Sequence, residues 1–151
     1  METLNGFIGS WMSHRKALIE LLDTVGDDQI HYKPWDEAMS FSELVLHITG
    51  ATGMFATTVK NGVFTPPAES AKVETINQLK EIVQSETEQT KSVLEGLSNE
   101  QLEQIIEFAG MNMPGSVLLE SGKDHEVHHK GQLFTYARMM GITTLPFFIS
   151  R

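Results

Sequence analysis

Cysteine is absent from all 151 residues, which rules out disulfides, thiolate metal sites, iron–sulfur clusters and a cysteine nucleophile. Basic residues are scarce: 11 Lys and Arg stand against 20 Asp and Glu, a formal net charge of -9. Such a charge repels phosphate backbones, so nucleic acid is not an expected partner. No apolar run approaches the roughly 20 residues needed to cross a bilayer, so no membrane association is expected either. The start, Met1 to Asn5, lacks the basic residues and apolar stretch of a secretory leader. With no cysteine in the chain, the expected location is the cytoplasm. Strand signals are scarce as well. What is present is an ordinary globular balance, 40% hydrophobic and 21% charged. The length suits a single domain over residues 1–151 with one core.

The apolar pattern has the period of helices. Leu4, Phe7, Trp11, Leu18, Leu21 and Val25 are spaced by threes and fours and predict a first helix, stopped at Gly26-Asp27-Asp28. Ser40 and Glu43 form a capping-box pattern that opens a second helix, whose stripe is Leu44, Ile48, Ala51, Phe55 and Val59. Asn61-Gly62 ends it, before the Thr65-Pro66-Pro67 loop. A third helix is predicted from about Val73 to Leu97, followed by a short helical turn from Ser98 that carries Leu102, Ile105 and Ile106. Gly110 breaks that pattern. The last helix opens near Pro114 and runs to about Met140, capped by Gly141. Four long amphipathic helices joined by short loops predict an all-α four-helix bundle. The apolar tail Phe147-Phe148-Ile149 is expected to pack on the bundle or on a second subunit.

The predicted inner stripe of the last helix is Leu118, Gly122, His125, His129, Gln132, Tyr136 and Met139. Its middle is polar, and buried polar groups cost free energy unless partnered. His125 and His129 lie one helical turn apart, so both rings can reach one divalent ion about 2.0–2.1 Å away. The same spacing also suits an interior hydrogen-bonded pair. His47, at the edge of the second helix's buried face, would complete a three-His set; alone it reads equally as a core histidine. Three neutral ligands leave an ion its full charge and leave positions for water or substrate, as in catalytic sites. His128 is a rival ligand that falls off the stripe, and His14 lies on the apolar face of the first helix.

His125-Glu126-Val127-His128-His129 also satisfies the H-E-x-x-H pattern of zinc metalloproteases, in which the Glu is general base. Glu126 is accordingly the candidate catalytic base. Proteolysis does not follow, because no Asp, Glu or His comes after His129 to supply a downstream ligand.

The second-helix segment Ser42 to Ile48 around His47, and the His-x-x-x-His-Lys-Gly-Gln segment from His125 to Gln132, resemble the DinB-like (DinB/YfiT-like) family over nearly the whole chain. Lys130 stands where that family often has arginine. The resemblance implies a four-helix bundle, with His47, His125 and His129 as ligands for zinc, nickel or a similar ion, and a homodimer. Relatives in the wider superfamily include S-transferases that use a low-molecular-weight thiol such as bacillithiol. A thiol-dependent transferase acting on a small-molecule substrate is therefore the leading expectation. The alternatives are a hydrolase, in which the ion lowers the pKa of a bound water, and a non-enzymatic metal-binding stress-response protein.

Overall fold

The computed structural model describes residues 3–151; the Met1-Glu2 start, read above for a leader, lies outside them. Four long helices form the frame: α1 (Leu4–Leu22), α2 (Phe41–Asn61), α3 (Ile76–Glu95) and, after a short helix α4 (Asn99–Glu103) and a hairpin, α5 (Gly115–Met139). None of the helices among the described residues is long and apolar enough to cross a membrane.

The helix boundaries follow local chemistry. Ser40 accepts from the Glu43 backbone N–H, and the Glu43 carboxylate accepts from the Ser40 N–H at 2.9 Å, so two otherwise orphaned donors at the start of α2 are satisfied. Gly62, at φ 74°, ends α2 in the left-handed conformation. Thr75 caps α3, which begins three residues later than the apolar pattern suggests. Pro114 precedes the first residue of α5, and Gly141, at φ 91°, follows its end.

The hairpin departs from expectation. Ile105 and Ile106, predicted to ride on the short helix, lie in β1 (Ile105–Phe108), which pairs antiparallel with β2 (Met111–Pro114). Phe108 faces Met111 across a two-residue turn, and both turn residues, Ala109 at φ 51° and Gly110 at φ 79°, are left-handed. That is what a tight turn matching the strand twist requires. Ile106 is buried while Ile105 is exposed, the alternation of a half-buried strand.

The core is in two apolar halves. One gathers Phe7, Trp11, Phe55, Val59, Leu94, Ile106 and Leu118. The other gathers Leu18, Leu21, Phe41, Leu44, Ile48, Leu79, Val83 and Leu133. Between these sets along the chain, the long helices contribute buried polar residues: Arg15 from α1, Thr49 and Thr52 from α2, Thr87 and Thr90 from α3, and Glu126 and Lys130 from α5. The tail is held back onto the bundle. The Ser150 N–H donates to the Ser13 carbonyl at 2.8 Å, and the Lys130 ammonium donates to the Phe148 carbonyl. The rings of Phe147 and Phe148 nevertheless face solvent.

Candidate metal centre

α2 and α5 meet along an intimate seam. A Cβ placed on Gly122 would lie 3.0 Å from the Phe55 ring, so the glycine lets the two backbones approach. Further along each helix the seam reaches histidines. His47 Nε2 and His125 Nε2 are 3.1 Å apart. The His129 ring centroid lies 5.0 Å from that of His47 and 4.4 Å from that of His125. One ligating atom from each of His47, His125 and His129 falls within 4.8 Å of the others, and all three residues are half-buried.

Several features of this cluster suit an ion. Two ring nitrogens 3.1 Å apart are spaced as two ligands would be about an ion roughly 2.0–2.1 Å from each. In the absence of an ion the same distance is spanned by one hydrogen bond, one ring donating and the other accepting. His125 Nδ1 is buried without any hydrogen-bond partner. His129 Nδ1 lies 2.7 Å from the Gln132 amide oxygen. Since that oxygen accepts, Nδ1 carries the proton and Nε2 keeps its lone pair, the tautomer that ligation needs.

Two of the rings, His47 and His125, are also held neutral. Burial, followed by the neighbouring His129, His47 and His128 rings, pushes His125 down to about 4 from 6.5. Burial and the nearby His129 lower His47 as well. Neutral imidazole is the form that binds metal.

About 100° around α5 from His125 lies a second arrangement. Glu126, expected as general base, is fully buried. Its Oε1 accepts from Arg15 Nη2 at 2.7 Å, Trp11 Nε1 at 2.9 Å and Thr52 Oγ1 at 2.9 Å, and its Oε2 accepts from Arg15 Nε at 2.8 Å. Burial opposes its ionisation, but the Arg15 guanidinium and these donors outweigh it and hold the carboxyl below its ordinary value. A carboxylate so engaged is a structural anion. It is a poor proton acceptor, which speaks against the expected role of Glu126 as base.

The remaining expectations sort by position. His128 is exposed and stacks edge-on against His129, 4.7 Å between centroids. His14 Nδ1 lies 2.8 Å from Lys130 Nζ. His31 is on the surface, 3.6 Å from Glu74. The inner stripe of α5 is turned from the predicted one: Glu126, Lys130, Leu133 and Ala137 are buried, while Gln132 and Met139 are exposed. Arg15 is the consequential residue that pattern reasoning passes over. For Arg15 the available signal was its place between Trp11 and Leu18 on the apolar face of α1.

A model of the DinB family matches residues 1–150. The chain belongs to the DinB family. Among DinB-like relatives it is 37% identical to YjoA of Bacillus subtilis over 150 residues, 97% of each protein. It is 27% identical to YrdA of the same organism over 146 residues, 94% of this chain and 86% of that one. The crystal structure of the DinB-like protein YjoA superposes with a TM-score of 0.85 at 36% identity, covering 96% of this chain and 99% of that one. A DinB-like protein from Bacillus cereus superposes with a TM-score of 0.82 at 20% identity, over 97% of each chain, and shares the fold. The helical bundle is thus the DinB fold, and a three-His cluster in it fits a metal-binding DinB-like protein.

Proposed function

We propose that this DinB-family protein is a divalent-metal-dependent enzyme of the thiol-dependent S-transferase type, with its reaction at His47, His125 and His129. The observation that carries the reading is the composition of the centre. Three imidazoles converge there, while the one carboxylate in the motif is locked behind them with Arg15. A bound ion would supply Lewis acidity, lowering the pKa of a thiol or water that meets it. A thiol starts near a pKa of about 8.5 and water near about 15.7, so a thiol needs far less help from a protein base. With Glu126 spent on Arg15, the centre suits the thiol better than the water of a hydrolase.

The chain's own residues have defined parts. Burial keeps His47 and His125 unprotonated. Gln132 fixes the His129 tautomer and ring orientation. His-only ligation suits zinc and nickel alike. In the transfer, the sulfur lone pair forms a C–S bond as the bond from carbon to its leaving group breaks. The leaving group takes that electron pair, and the thiol proton passes to solvent.

The test joins metal analysis to turnover. Protein purified without a His tag is expected to hold close to one divalent ion per chain, lost in His125→Ala. Loaded protein is expected to couple bacillithiol or a similar small thiol to a chlorinated or epoxide electrophile, and His47→Ala to lose that turnover. Absence of turnover with every cellular thiol in fully loaded protein refutes the transferase reading.

A further inference from the structure

Two cavities border the histidines, and their chemistry differs. His47 stands in the wall of one, of about 540 Å³, together with Lys33, Ser42, Glu43, Lys72 and Glu74. His129 stands in the wall of the other, of about 330 Å³, and Met39 borders both. The second cavity is apolar: Pro34, Trp35, Met39, Leu44, Tyr136 and Met139 supply most of its surface.

Most of its few polar groups are already engaged. The Tyr136 hydroxyl donates to the Met39 carbonyl at 3.1 Å. The Thr135 hydroxyl donates to the Gly131 carbonyl at 3.3 Å. The Gln132 amide oxygen accepts from His129. What is left is an apolar slot that ends on a histidine of the candidate metal centre. Its rim is built from large apolar side chains left to water, with Trp35 62% and Met139 55% exposed. Apolar surface of that kind around a concavity marks a binding site. A charged group lodged among the apolar side chains, away from the histidine, would shed its hydration without gaining a partner.

We propose that this cavity is the subsite for the apolar portion, aromatic or aliphatic, of an uncharged small-molecule substrate whose reactive end lies at His129. The inference rests on the proposed reading of the three-His centre as catalytic, and it supplies the substrate class for that reading: a hydrophobic electrophile. The polar partner in the reaction then approaches from the His47 side, where Lys33, Lys72, Glu43 and Glu74 offer charges of both signs. The volume of about 330 Å³ lies at the small end of ligand sites and suits a single ring with a short chain.

Intrinsic fluorescence reads the proposal without turnover. The chain has two tryptophans; Trp11 is fully buried and Trp35 is at the cavity rim. Butylbenzene is expected to change the emission saturably in metal-loaded protein, and the change is expected to vanish in Trp35→Phe. In metal-free His47→Ala protein, which has no ion to capture a carboxylate, benzoate is expected to bind about tenfold more weakly than butylbenzene or worse; butylbenzene is expected to weaken as much in Met139→Glu, which puts a charge on the exposed rim. The metal-free His47→Ala protein is expected to bind butylbenzene still.

No saturable change with butylbenzene overturns the proposal. So does a signal that persists in Trp35→Phe, equal affinity for benzoate in the metal-free protein, or unchanged affinity in Met139→Glu. A ligand-free emission change that tracks protein concentration and dimer formation, abolished by Met139→Glu, would make the cavity an interface between copies and overturn it too. The transferase reading fails separately: protein that binds butylbenzene but turns over no thiol refutes that reading and leaves the subsite standing.

Discussion

Glu126 and Arg15 are both removed from solvent, 2.7 Å apart, and each is tolerated there only because the other is present. Taking away one member of a buried ion pair strands the other charge in a poor solvent. Glu126→Ala is therefore expected to lower unfolding stability by about 3–5 kcal/mol, measured by chemical denaturation. If Glu126 were instead a catalytic base, the variant would keep its stability and lose only rate. Gln132 is the converse case, since it is exposed and contributes little packing. Gln132→Ala is expected to weaken metal affinity about 10–100-fold through His129, while the melting temperature of the metal-free protein stays unchanged. Calorimetric metal titration beside a thermal melt separates the two effects.

Helix α2 could be read from the sequence almost to the residue. The Ser40–Glu43 box and Asn61-Gly62 are local signals whose physics does not depend on the rest of the fold. Helix α5 was legible in extent but not in orientation. Glu126 and Lys130 look like surface residues until Arg15, His14 and the tail are placed against them, so the inner stripe was expected to fall on Gln132 and Met139. The spacing of His125 and His129 is local and could be read; their meeting with His47 is a matter of helix packing, which spacing alone cannot supply. The hairpin escaped because two strands of four residues each are too short for alternation to stand out from helical period. Gly122 was placed on the inner stripe, and its packing against Phe55 explains why a side chain is missing there. Gly122→Ala is expected to cost about 1–3 kcal/mol by overpacking the α2–α5 seam. Because that seam also sets the distance from His47 to His125, metal affinity is expected to fall along with the denaturation midpoint.

For the molecule as a whole, the histidines tie stability to pH. His125 has a folded-state pKa near 4 against 6.5 for the free side chain, so between those values the unfolded chain binds more protons than the folded one. Stability then rises with pH across the window and falls as the solution is acidified from 6.5 toward 4. Metal-free protein melted at steps of pH is expected to show this loss, and His125→Gln to flatten its slope. Bound metal acts in the same direction: it binds the folded state, so a chelator is expected to lower the melting temperature above pH 6.5 more than below it, where protons already compete for the ring nitrogens.

The pairing of Glu126 with Arg15 also bears on transplanting the site. His125 and Glu126 are neighbours on α5, about 100° apart around its axis, one facing the metal centre and the other the core. Turning the helix to alter one environment necessarily turns the other. A designer moving the three histidines into a different bundle would therefore have to carry Arg15, Trp11 and Thr52 along with them, or mutate Glu126 to an apolar residue first. The anion works as an indexing pin: it fixes the rotation of α5, and with it the direction in which both α5 imidazoles point.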